Sequence, residues 1–331
     1  MKRKSILVSL SFVLILLPLF AGYAADTSFY EGKVITIIVA TSPGGNYDLF
    51  ARQVAQYIRP FLPGCKAVIV KNVPGAGHVT GAMALARAKP DGLTIGLFNM
   101  SLVNVQIGGL EGAKLDLANM SWIGVTGRGP FAILASPKKA KNWEEFKKAD
   151  RIIVGVSGPG AAAYGYLKLV GDMAGLKNIE LLGGYGGSEA DIGMMRGDIH
   201  VIGSPSFELV EQGVAVPIIF SGSKLKGYEQ VPLLQELFPE KKNKPIVDYL
   251  NFIVGGVRAF SGPPGIPPER LQVLREAFKK TVQHPEFVAN ILKTGQNAGY
   301  ESGPEFKQSL ENIFGMPPED LKKIKAILAA K

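Results

Sequence analysis

Three glycine-rich turns carry the residue types best suited to chemistry: Ser42-Pro43-Gly44-Gly45-Asn46, Ser157-Gly158-Pro159-Gly160, and Gly183-Gly184-Tyr185-Gly186-Gly187 with Ser188 after it. Each follows an aliphatic, β-branched run and precedes a helical pattern, which puts it at a strand's C-terminal end and a helix's N-terminus. Glycine lets the backbone bend and lets a ligand reach the N–H groups with no side chain between. The free N–H groups of a helix's first turn, with its dipole, favour an anion by about 0.3–1 kcal/mol. In open α/β sheets ligands bind at this end of the strands. Two such turns facing each other across a cleft suit a small carboxylate. One turn of this kind is equally ordinary punctuation; three of one type favour binding.

Asp48 stands in the first turn of the first of these helices. Its expected role is to cap N–H groups or complement the dipole, since it would repel an anion; the alternative is contact with the ammonium of an amino-acid ligand. Arg128 is expected at the surface, with a second ligand carboxylate as the alternative. Enzyme motifs fail one at a time. Gly155-Val156-Ser157-Gly158-Pro159 has Pro where a nucleophile elbow needs its second Gly. Gly75-Ala76-Gly77-His78-Val79-Thr80-Gly81 is one residue too long for a dinucleotide fingerprint, and no Gly-rich turn leads into a Walker lysine. His78, His200 and His284 have no local metal partner, and His200 sits in an apolar strand, at the core or a pocket edge. The single Cys65 excludes an intramolecular disulfide and a Cys-based zinc site.

The elements that must position these turns come from a chain of 331 residues, 47% hydrophobic and 20% charged, which excludes a disordered protein. Lys2, Arg3 and Lys4 precede an apolar run over 6–20, and Gly22-Tyr23-Ala24 follows with small residues for cleavage before Ala25. The run is shorter than the roughly 20 residues that span a bilayer. This predicts a cleaved signal peptide over 1–24 and an exported, periplasmic protein. The net charge of +9 includes those three basic residues. The other lysines are scattered: Lys138, Lys139, Lys141, Lys147 and Lys148 on an expected surface helix, Lys241, Lys242 and Lys244 in an expected loop. Neither group is interleaved with aromatic residues, which argues against nucleic acid.

The mature chain alternates strands and helices, predicting an α/β fold with largely parallel sheets. Strands are expected over 34–40, 67–70, 93–98, 151–156, 179–182, 199–202 and 216–220, with helices after the turns. An amphipathic helix is expected from Glu269 and a last one over 304–314. Two series of this kind, separated near 127–130, suggest two lobes: 25–127 with 248–331, and 128–247.

The order of motifs resembles the extracytoplasmic receptors of tripartite tricarboxylate transporters, the Bug-type solute-binding proteins. The resemblance rests on Ile37-Ile38-Val39-Ala40-Thr41-Ser42-Pro43-Gly44-Gly45-Asn46-Tyr47-Asp48, Asn72-Val73-Pro74-Gly75-Ala76-Gly77 and Pro90-Asp91-Gly92-Leu93-Thr94 in the first half. In the second half it rests on Val156-Ser157-Gly158-Pro159-Gly160, Tyr185-Gly186-Gly187-Ser188 and the Pro-rich turn over 262–267. It implies a two-lobe, type II periplasmic-binding-protein fold that closes on its ligand by a hinge. It also implies that Ser42, Gly44, Gly45 and Asn46 face Ser157, Gly158, Ala161, Gly187 and Ser188 around a carboxylate, with Asp48 supporting its own turn and Tyr185 in the family pattern. Departures are Asn46 and Tyr47, where the family often has Gly and Thr; Tyr47 would narrow the pocket or stack on an aromatic ligand. Ala161 lacks a customary hydroxyl and would offer only its N–H, and Ser204 lines the cleft without a customary Asp.

The function expected is capture of a small organic anion, a mono- or dicarboxylate with an aromatic acid or amino acid as variants, for inner-membrane permease subunits. The protein is expected to act as a monomer, without catalysis, cofactor, metal or nucleic acid. Rival readings are a sensor subunit presenting its ligand to a membrane histidine kinase, and an exported enzyme acting on a carboxylate.

Overall fold

The computed structural model describes residues 27–329 except 110–113, 128, 159–160, 187, 205–206, 255–257 and 295. The expected signal peptide, Arg128, Gly187, Pro159 and Gly160 therefore lie outside the described residues. The first half runs β1 (Val34–Val39), α1 (Asn46–Ile58), β2 (Ala67–Asn72), α2 (Val79–Ala86), β3 (Thr94–Asn99), α3 (Leu102–Gly108) and β4 (Ser121–Thr126). Then come β5 (Phe131–Ala135), α4 (Trp143–Lys148), β6 (Ile152–Gly155), α5 (Ala162–Ala174), β7 (Ile179–Leu182), α6 (Ser188–Arg196), β8 (Val201–Ser204), α7 (Glu208–Glu211) and β9 (Val216–Ser221). The tail forms α8 (Leu234–Leu237), α9 (Lys244–Val254), β10 (Arg258–Gly262), α10 (Pro268–Val282), α11 (Pro285–Lys293), β11 (Glu301–Ser302), α12 (Gly303–Phe314) and α13 (Pro318–Ala329).

Two sheets result, ordered β11-β4-β10-β3-β1-β2 and β7-β6-β8-β5-β9. The α/β class holds, but the expectation of largely parallel sheets is corrected. β1 pairs in parallel with β2 and β3, and β6 with β7 and β8, whereas β4, β5, β9, β10 and β11 join by antiparallel pairs. The reason is that β5 follows β4 directly from the other sheet and β10 returns from the other sheet through α9, so neither is joined to its sheet neighbours by a strand–helix–strand crossover. The helix over 304–314 is also not the last, since α13 follows, its first turn marked by Pro318, Glu319 and Asp320. Lys138, Lys139 and Lys141 precede α4 rather than lying on it, and Lys244 opens α9.

The registers bring functional ends together. Val39 of β1 lies beside Leu97 of β3, and Asn99 pairs Arg258, which pairs Thr126 across β10. The turn after β1, the end of β4 and the start of β10 therefore share one edge. In the second sheet Ala132 of β5 pairs Ser204 at the end of β8, so the crossing segment between β4 and β5 leaves and arrives at the C-terminal ends of both parallel sets.

Packing follows the apolar pattern. α1 buries Phe50, Ala51, Val54 and Ile58 against the first sheet together with α10 and α11. Cys65 belongs to this core, 5% exposed, and its Sγ lies 3.4 Å from the Ala67 carbonyl. Burial pushes its thiol pKa up. A second apolar cluster runs without a break from Leu102, Trp122 and Phe306 through Tyr249 and Leu250 of α9 into Tyr166 and Val154 of the second sheet. α13 packs on both α3 and α5, burying Ile324 and Leu328, and Lys323 of α13 pairs with Asp172 of α5 at 3.2 Å.

Candidate functional site

The turn after β1 is built around Asp48. Its carboxylate accepts the Gly44 N–H at 2.9 Å, the Arg52 Nε–H at 2.9 Å and the Asn72 amide at 2.9 Å, and the residue is 3% exposed. Burial alone would raise its pKa; hydrogen bonds from Arg52, Gly44 and Asn72 outweigh that and hold it below the usual carboxylate range. The Asn72 amide also donates to the Thr41 carbonyl at 3.0 Å, tying the ends of β1 and β2 together. Gly44 turns back with φ +86°, a conformation glycine adopts without strain. The Gly44 N–H is thus consumed inside the turn.

Asp48 faces back to Gly44, so no side chain caps α1; Gly45 occupies the cap position in extended conformation. Among the described residues no side chain caps the first-turn N–H groups of α1, next to exposed Ser42, Gly45 and Asn46. The buried negative charge in the first turn of α1 pairs with Arg52.

Tyr47 projects differently. Its ring lies edge-on to His78 at 5.2 Å and 5.8 Å from the Arg258 guanidinium, and burial raises its phenol pKa while Arg258 lowers it. Arg258 is 3% exposed and stacks 4.1 Å over Phe50. It donates to Gln296, whose amide donates to Asn46 Oδ1 at 2.8 Å. His78 caps α2 in left-handed conformation, φ +78°, and burial pushes its pKa down to about 4.

In the second sheet, Ser157 and Gly186 lie side by side: a Cβ on Gly186 would come 3.1 Å from that of Ser157. Gly158 has φ +147°, and Ala161 precedes α5 with no side-chain cap. The Ala161 N–H donates to the Gly158 carbonyl at 2.9 Å, within the turn itself. The Tyr185 N–H donates to Val156, and its ring packs so tightly on α6 that a Cβ at Gly193 would lie 2.5 Å from it. Tyr185 braces β6 against α6. Ser188 is exposed at the start of α6. Ser204 lines a separate cavity of about 70 Å³ with Asp191, Met195, Glu208, Leu209 and Gln212.

His200 stands apart: its Nδ1 accepts the Ile153 N–H at 3.1 Å, near the opposite end of β6 from Ser157. Arg52, Asn72, His78, Arg258 and Gln296 were not singled out as site residues from sequence. A lone arginine in the apolar run Arg258-Ala259-Phe260 was the one available signal. Among the described residues no cluster of His, Cys, Asp and Glu is arranged to hold a metal, and no helix is long and apolar enough to cross a membrane.

Comparison with known proteins agrees with this architecture. Residues 50–140 match the model of the tripartite tricarboxylate transporter family receptor. A UPF0065 protein of Bordetella pertussis is 26% identical over 84% of this chain and 85% of its own length. Protein BugT of the same organism is 24% identical over 83% and 85%. A TctC solute-binding protein from Polaromonas superposes with a TM-score of 0.66 at 24% identity, covering 90% of this chain and 99% of that one. MatC from Rhodopseudomonas palustris with bound malate gives 0.68 at 16% identity over 90% and 99%. R. palustris Rpa4515 with adipate gives 0.69 at 17% over 89% and 98%. The family match over 50–140, these relatives and the shared fold make the chain similar to the tripartite tricarboxylate transporter receptors of the Bug type.

Proposed function

We propose that this receptor captures a small organic carboxylate between its two sheets and hands it to membrane permease subunits, without chemical change. The observation that carries the reading is the N-terminus of α1, which no side chain caps among the described residues and whose first-turn acid, Asp48, turns back to Gly44 and pairs with Arg52. A carboxylate there meets unsatisfied N–H groups and a favourable dipole. The likeness in fold to proteins holding malate and adipate supports an acidic ligand. The lobes of the proposed clamp are 25–127 with 248–331, and 128–247. The cut at 247/248 falls inside α9, which makes that helix the bridging element. Ser42, Gly45, Asn46 and Tyr47 form one jaw, with Gly44 and Asp48 shaping it. Ser157, Gly158 and Ser188 form the other, with Tyr185 as brace and Ala161 and Ser204 beside them.

The test is thermal unfolding of the mature protein against malate, adipate, aromatic acids, amino acids and sugars. A true ligand at a hundredfold excess over Kd adds about 2.7 kcal/mol of stability. A saturable shift with one carboxylate and none with sugars is the expected result. An empty cleft, checked by mass spectrometry of the unfolded protein, that ignores every carboxylate would overturn the proposal.

A further inference from the structure

Behind the first jaw lies a chain of side chains whose hydrogen-bond polarity is fixed at one end. Arg258, 3% exposed, carries a guanidinium that only donates. It donates to Gln296 Oε1, and Gln296 is itself 6% exposed. With its oxygen committed, Gln296 has only its Nε2–H₂ left, and this group donates to Asn46 Oδ1 at 2.8 Å. Asn46 thus turns its oxygen inward and keeps its Nδ2–H₂ for the outside, where the residue is exposed beside the uncapped start of α1. No partner for that nitrogen exists among the described residues.

We infer that the Arg258–Gln296 relay sets the orientation of the Asn46 amide, so that the cleft receives a hydrogen-bond donor and selects an acceptor such as a carboxylate oxygen over a group that donates. This rests on the carboxylate reading of the cleft for its consequence, though not for the relay itself. Arg258 acts as a positioning residue and touches no ligand. Two carboxamides in series transmit the donor-only character of a buried cation to the surface, and the cation stays covered. Without Arg258 either amide can turn over, and Asn46 then presents donor and acceptor alike.

The experiment reads the relay first without ligand. In ¹⁵N-labelled mature protein the side-chain NH₂ protons of Gln296 are expected to be protected from exchange and those of Asn46 to exchange freely. Gln296→Glu accepts from Arg258 but has no donor for Asn46, so the Asn46 amide turns and its NH₂ protons become protected. Gln296→Met breaks the relay without a change in charge, leaves the Asn46 protons unprotected, and guards against misfolding of the Glu variant. Protected Asn46 protons in the wild type, or the same Asn46 pattern in wild type and Gln296→Glu, overturns the inference. The second arm titrates adipate against neutral adipamide. Gln296→Glu is expected to lose about tenfold or more in adipate affinity, the scale of one hydrogen bond to a charged group, and to lose less for adipamide. Gln296→Met is expected to fall between. Equal losses for adipate and adipamide overturn the selectivity claim. A wild-type protein that binds no carboxylate while the exchange pattern stands overturns the carboxylate reading and leaves the relay in place.

Discussion

His78 shows how much a single position controls. Its backbone is left-handed, its ring packs against Tyr47, and its buried Nδ1 has no hydrogen-bond partner among the described residues. Burial holds the folded pKa at about 4, below the roughly 6.5 of an unfolded chain. The unfolded state therefore takes up a proton first as pH falls. The stability this neutral ring contributes is present above pH 6.5 and is lost progressively down to about 4. His78→Asn keeps a residue that tolerates the left-handed backbone and removes the titration. Unfolding by urea at pH 7.5, 5.5 and 4.5 should show the wild type losing about 1–3 kcal/mol more than the variant across that range. Parallel losses would mean the imidazole is not desolvated in solution.

At the scale of elements, the strand–turn–helix units were legible because each announces itself twice, by an aliphatic run and by the glycines that end it. β1 with α1 and β7 with α6 were read nearly to the residue for that reason. β4 passes directly into β5 of the other sheet, and β10 returns from that sheet through α9, so no local pattern fixed the direction of β5 or β10. The site divided the same way. Asp48 holds its turn through local partners, since Gly44 and Arg52 lie four residues from it on either side. Gln296 reaches Asn46 across 250 residues, a pairing no local pattern encodes. One consequence for the β1–α1 turn is testable. Gly44 has open space around a would-be Cβ but a φ of +86°, so Gly44→Val is strained by backbone alone. The cost should be about 1–2 kcal/mol, with a folded protein by circular dichroism and loss of the ligand-induced thermal shift. An unchanged shift would show that the turn's shape does not govern binding.

Over the whole molecule, α13 touches both halves. Ile324 is fully buried between them, whereas the Lys323–Asp172 pair leaves both side chains more than 40% exposed. These two ties differ in kind. Truncating Ile324 to Ala should cost about 2–5 kcal/mol, and Lys323→Ala under about 1 kcal/mol, both by urea unfolding. The reverse ranking would mean that charge and not packing fastens α13. The continuous apolar cluster running from Trp122 to Tyr166 makes the same point, because it joins the two sheets by packing as well as by chain.

Cys65 has a practical consequence. The chain's single thiol is sealed in the core beneath α1, with its pKa raised and its sulfur against backbone carbonyls. Native folded protein is therefore silent toward maleimide dyes. Cysteines introduced at the exposed positions Ser42 and Ser188 would take a donor and an acceptor fluorophore with no wild-type background to remove, and energy transfer between them would follow the jaws one molecule at a time.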